Sequence, residues 1–96
     1  MRVLYQPTAL EELREAILWY IEVAGHKQAA ALDFEINVKL DLLKEHPLIG
    51  TPGIGGSRWI PLKRFPYTLH YRVVGEVIDI LAVAHQKRRP GYWHKR

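Results

Sequence analysis

The spacing of hydrophobic residues changes period once along the chain, from helical in the first half to alternating in the second. "RVLYQ" (2–6) reads as a short strand, stopped by Pro7. Beyond it Leu10, Leu13, Ile17, Tyr20, Ile21 and Ala24 fall on one helical face, with Glu11, Glu12, Glu15 and Glu22 turned away. Thr8 stands three residues before Glu11, the spacing of a capping box, and acids in the first turns suit the helix dipole. Gly25 is a natural stop. A second helix is predicted from about Lys27 to His46, with two apolar stripes. One holds Ala29, Leu32, Ile36, Leu40 and Leu43, the other Ala31, Phe34, Val38 and Leu42. Two apolar faces require two neighbours, a sheet and an antiparallel first helix joined by a turn of two to four residues. Pro47 ends the helix and opens a loop punctuated by glycine and proline, "HPLIGTPGIGG" (46–56).

After this loop the period is two. "RWIPL" (58–62) is a strand whose Pro61 suits an edge or a bulge. In "YTLHYRVV" (67–74), Tyr67, Leu69, Tyr71 and Val73 alternate with Thr68, His70, Arg72 and Val74. Gly75-Glu76 turns the chain, and "VIDILAVAH" (77–85) returns antiparallel. Strict alternation there groups Ile78, Ile80, Ala82 and Ala84, and sends Asp79, Leu81, Val83 and His85 to the other face. The pattern predicts an α+β fold of order β-α-α-β-β-β, a helical hairpin packed on a small, mainly antiparallel twisted sheet. A length of 96 residues makes it one domain, residues 1–96, with 86–96 as a carboxy-terminal tail.

Charge adds a division that hydropathy does not show. Residues 1–57 hold five Lys/Arg against eight Asp/Glu, a net of −3, and residues 58–96 hold nine against two, a net of +7. Such segregation favours an acidic or polyanionic partner. Several chemistries are excluded. No cysteine is present, so there is no disulfide and no thiolate. The five histidines lack metal-ligand spacing, "GIGGS" (53–57) neither follows a strand nor opens a helix, and Ser57 is a lone serine without a nucleophile motif. No metal or cofactor is expected. The apolar runs are strand-sized, so no membrane segment is expected and a cytoplasmic location is the default.

Candidate binding chemistry gathers on the sheet face opposite the hairpin and just beyond it. Strand parity puts His70, Arg72 and His85 on that face, and Lys87, Arg88 and Arg89 follow the last strand. Cations and imidazoles there can hold phosphates or perform acid–base work on a ribose hydroxyl; a solvated outer face is the plain alternative. The tail "QKRRPGYWHKR" adds Tyr92 and Trp93 as flat anchors. With the core closed by strand and hairpin, the tail reads as a docking element ending in frayed Lys95 and Arg96. The alternative is that Trp93 folds back into the core.

The run "RWIPLKRFPYTLHYRVVGEVIDILAVAHQKRRPGYWHKR", with "ALEELREAILWY" and "LLKEHPLIG" before it, resembles the RelE/ParE toxin superfamily in its ParE-like, plasmid-stabilisation branch. The resemblance implies the toxin of a type II toxin–antitoxin module, neutralised by a cognate antitoxin with a flexible, acidic segment. It implies DNA gyrase as the target and a poison rather than an enzyme. RelE-like relatives instead cleave mRNA on the ribosome. Their strand lysines fall here near Trp59 and Pro61 and their strand arginine at Thr68, so only Arg88 matches, with Tyr92 or His94 as loose candidates. A ribonuclease would therefore rest on His85, Arg88, Tyr92 and His94. The third alternative is an inactive member retained as a binding partner. The residues expected to bind target or antitoxin are His70, Arg72, His85, Lys87, Arg88, Arg89, Tyr92 and Trp93.

Overall fold

The computed structural model describes residues 1–96. Strand β1 (Arg2–Tyr5) leads into helices α1 (Pro7–Ala24) and α2 (His26–Glu45), followed by β2 (Thr51–Pro52), β3 (Arg58–Pro61), β4 (Tyr67–Val74) and β5 (Val77–His85). The strands form one sheet of order β1-β5-β4-β3-β2, with β1 parallel to β5 and every other pair antiparallel. The predicted α+β order holds. The two-residue β2 is an addition; it pairs only with Arg58 and Trp59, so Pro61 stays unpaired on that side, as its place at an edge predicts.

The helix boundaries follow local chemistry more closely than the sequence reading did. Pro7 opens α1, where its missing N–H costs nothing. Thr8 therefore lies inside the first turn, and no side chain caps the helix. The expected capping box is absent, and Glu11, Glu12 and Glu15 lie beyond the first turn. The amide of Gln6 instead donates to Asp79 Oδ2 at 3.1 Å, tying the end of β1 to β5. One residue, Gly25, both ends α1 and begins α2, at φ 91°, a backbone region that side chains disfavour. The hairpin is thus tighter than the predicted two- to four-residue turn.

Small residues bring the hairpin close to the sheet. Ala9 and Ala16 of α1 are fully buried, as is the α2 stripe Ala29, Leu32, Ile36, Leu40 and Leu43. All but Ala29 meet Leu69, Tyr71, Ile78, Ile80 and Val83 in one apolar cluster. The second stripe of α2 finds a neighbour only in part: Ala31 packs against the core and Leu42 is half-buried, but Phe34 and Val38 are exposed. Two polar clamps complete this side. Tyr71 donates its hydroxyl to Pro47 O and accepts from Gly50 N–H, holding the loop after α2. Glu35 accepts from the N–H groups of Lys63 and Arg64, pinning the β3–β4 turn.

A bulge in β5 decides which side chains share a face. The β4–β5 register runs Tyr67↔His85, Leu69↔Val83, His70↔Ala82 and then Tyr71↔Ile80, so Leu81 has no partner on β4. One extra residue inverts parity beyond it. Ile78 and Ile80 share the helix-covered face with Val83, whereas Ala82 pairs with His70 on the opposite face. The predicted grouping of Ile78, Ile80, Ala82 and Ala84 is corrected accordingly. His85 also changes parity: it pairs with Tyr67 and its ring packs edge-on against the Tyr67 ring at 5.3 Å.

Candidate functional site

The carboxy-terminal segment folds back across the sheet face that the helices leave open. Trp93 is 6% exposed and packs on Leu81 and Ala82, the pair that the bulge turns toward it. The Trp93 ring lies 5.1 Å from that of His70, with His94 edge-on at 5.8 Å. Of the two readings for Trp93, burial is the one observed. The expectation of a core already closed without the tail is overturned, because bulged Leu81 and Ala82 would otherwise be bare. Gly91, at φ 74°, lets the tail pass close to the 53–57 loop: a Cβ there would lie 2.8 Å from Ile54 Cδ1.

Glu12 is the hub that fastens this segment. β1 stops at Tyr5, so the adjoining edge of β5 has no strand beside it past Ile80. Val83 N–H donates to Glu12 Oε1 at 3.0 Å, and Leu81 O accepts from Arg96 Nη2 at 2.8 Å. Arg96 also grips both Glu12 oxygens, at 2.9 and 3.0 Å, and Tyr92 donates its hydroxyl to Glu12 Oε2 at 2.5 Å. Arg96, expected to fray, is thus the carboxy-terminal latch. Burial alone would raise the Glu12 carboxyl, but the bonds from Arg96, Tyr92 and Val83 outweigh it and hold the pKa below its ordinary value. Tyr92 is pushed the other way, by burial and then by Glu12.

The sign of the Glu12 shift gives a pH prediction. A depressed carboxylate stabilises the fold above its unfolded pKa, and that stabilisation is lost as pH falls through the lowered value. Glu12→Gln, which cannot accept two bonds from Arg96, should lower stability at pH 7 by roughly 2 kcal/mol. Thermal melts from pH 7 to pH 3 should show the gap between wild type and variant closing below about pH 4. A gap constant across that range would show that Glu12 carries no such linkage.

The remaining predicted residues separate into fixed and free. His70 is half-buried, and burial lowers its pKa against the opposing pull of Glu12, favouring neutral imidazole. Arg72 shares its face and donates to Gly55 O at 3.0 Å, bracing the 53–57 loop. Tyr92 is half-buried, its hydroxyl engaged by Glu12. Arg88 lies 3.9 Å over the Tyr92 ring. The cationic heads of Lys87, Arg88 and Arg89 make no hydrogen bond or ion pair within the chain, and all three residues are exposed. Of the quartet His85, Arg88, Tyr92 and His94, the first three line one cavity and His94 does not; His85 also leans on Tyr67, and Tyr92 is bound by Glu12. Sequence reasoning missed Glu12, Trp59 and Arg96. Glu12 looked like one more solvated acid, since its partners lie 71 and more positions away.

Between the tail, β3 and β4 lies a cavity of about 390 Å³ whose lining includes Ser57, Trp59, His70, Arg88, Arg89 and Trp93. No carboxylate and no lysine lines it. No group of acids and histidines in the chain is arranged to hold a metal ion. No helix is long and apolar enough to cross a membrane.

Comparison with known proteins bears on this architecture. The sequence model of the family described as ParE toxin of type II toxin–antitoxin system, parDE, matches residues 3–90. No curated protein matches the chain. Among solved structures, a chain of a chromosomal ParDE TA system from P. aeruginosa superposes with a TM-score of 0.77. It is 24% identical, and the match covers 88% of this chain and 95% of that one.

Proposed function

The chain belongs to the ParE toxin family of type II toxin–antitoxin systems, and we propose that it acts by poisoning DNA gyrase until a cognate antitoxin neutralises it. The observation that carries this reading is the exposed Lys87-Arg88-Arg89 run, whose charges make no hydrogen bond or ion pair within the chain, Arg88 only stacking on Tyr92. Three other arginines of this half act inside the fold: Arg58 holds the carbonyl groups of Leu48 and Gly50, Arg72 that of Gly55, and Arg96 that of Leu81. Three adjacent cations without such work are available to a partner surface. Arginine forks suit carboxylates and phosphates equally, so one surface serves target and antitoxin in turn. An acidic antitoxin segment laid over this run would mask it, and the +7 balance of residues 58–96 would speed the encounter.

The ribonuclease alternative is less well supported. Its strand cations are replaced by Trp59, Pro61 and Thr68, and Arg72 on the same face already holds Gly55 O, so the positions that would stabilise a developing anion carry no free charge. Purified toxin should be assayed in parallel for inhibition of gyrase supercoiling and for transcript cleavage on translating ribosomes. Loss of supercoiling with accumulation of cleaved DNA, and intact transcripts, is the expected result. Codon-phased transcript cleavage with normal supercoiling would overturn the reading.

A further inference from the structure

The outward face of α2 carries apolar side chains that nothing in the chain covers. Phe34 is 70% exposed, more than any other large hydrophobic residue, and Val38, one turn later, is 46% exposed. Single exposed apolar residues are ordinary. Two neighbours at the middle of a 20-residue helix form a rigid apolar patch instead.

The spacing along this face is that of a helix–helix seam. Lys27, Ala31, Phe34, Val38, Asp41 and Glu45 recur at alternating steps of four and three, the heptad rhythm of two helices packed side by side. Apolar residues hold the centre of the seam and charges hold its ends. The amino-terminal end carries a base, Lys27, and the carboxy-terminal end two acids, Asp41 and Glu45, all exposed. Lys27 and Glu45 form no ion pair within the chain, and Asp41 meets only Lys44, at 3.8 Å.

This distribution of charge identifies the neighbour. Phe34 and Val38 lie two residues either side of Ile36, and Lys27 and Glu45 nine residues either side. A second α2 laid antiparallel therefore sets Phe34 against Val38 of the other copy and Lys27 against its Glu45, each contact made twice. Antiparallel helix dipoles add to the match. Parallel packing would oppose like charges at both ends. An acidic segment of the kind that suits Lys87-Arg88-Arg89 is repelled here by Asp41 and Glu45. A patch complementary to itself under two-fold rotation is the mark of an isologous dimer.

We infer that the outward face of α2 is the interface of a homodimer, with two α2 helices packed antiparallel about a two-fold axis at the level of Ile36. One helix face buries less than a standard interface, so the dimer is a dissociable one. The tail crosses the sheet face that the helices leave open, so Lys87, Arg88 and Arg89 of both copies stay exposed. The dimer thus presents its cationic run twice, and a target with two matching sites is held by avidity. The inference stands independently of gyrase as target.

Sedimentation equilibrium of the full chain, free of antitoxin, reads the association directly. The weight-average mass should climb with concentration from that of one chain toward that of two, and no further. Phe34→Glu should hold the mass at one copy throughout, with an unchanged far-ultraviolet spectrum, since this side chain already faces solvent. Lys27→Glu and Glu45→Lys should each weaken association about tenfold, because each creates two like-charge contacts per dimer. The double exchange Lys27→Glu/Glu45→Lys should restore it to within about twofold of wild type, a rescue that the antiparallel register alone allows. A wild-type chain that stays at the mass of one copy would overturn the inference. So would a dimer indifferent to Phe34→Glu, or a double exchange no better than either single variant. If the chain does not self-associate and Phe34→Glu instead releases a co-purified antitoxin, the face belongs to that partner and the inference falls.

Discussion

Trp93→Ala should lose about 3–5 kcal/mol of stability, the usual cost of deleting a buried aromatic side chain. Against a total of about 5–15 kcal/mol for a domain of this size, that approaches the threshold of unfolding. The melting temperature should fall by roughly 15–30 °C. The cost is high because Trp93 covers Leu81 and Ala82, which the bulge directs away from the main core, and no other residue can take its place. Truncation before Tyr92 should be worse, since it also removes Arg96 and leaves Glu12 without two of its partners. Trp59→Ala, at a partly exposed ring on the same face, serves as the control and should cost far less. A Trp93→Ala protein melting within about 3 °C of wild type would show the tail to be an appendage.

The parts of the fold that were legible in the sequence are those governed by local period. The α2 stripe Ala29, Leu32, Ile36, Leu40 and Leu43 is buried throughout, as its spacing predicts. The alternation Tyr67, Leu69, Tyr71 and Val73 likewise faces the helices. What escaped depends on pairing between distant residues. "VIDILAVAH" carries no glycine or proline to announce a bulge, so its pattern predicts strict alternation through Leu81 and the wrong parity for His85. The latch joins Glu12 to Tyr92 and Arg96 across most of the chain, and nothing near Glu12 distinguishes it from Glu11 or Glu15. Sequence alone leaves two fates open to Trp93, because the Pro90-Gly91 pair fits a free tail and a sharp return equally well. The candidate site was half visible: the cationic run reads directly from sequence, but the cavity beneath it needs the bulge, the loop and the tail at once.

The central claim is that the carboxy-terminal segment has two separable roles, with Trp93 and Arg96 closing the fold and Arg88 and Arg89 serving the target. Replacing both exposed arginines with alanine removes no hydrogen bond or ion pair within the chain. Only the stacking of Arg88 on Tyr92 is lost, a contact worth about 0.5–1 kcal/mol at an exposed site. Interface arginines, by contrast, commonly cost 2 kcal/mol or more when truncated, roughly thirtyfold in affinity each. The most direct measurement is gyrase inhibition by Arg88→Ala/Arg89→Ala beside wild type, with thermal melting of both proteins. The account predicts melting temperatures within about 5 °C of each other and inhibition weakened at least thirtyfold. A double variant that inhibits gyrase as strongly as wild type would contradict it, because the target would then be held by some other surface.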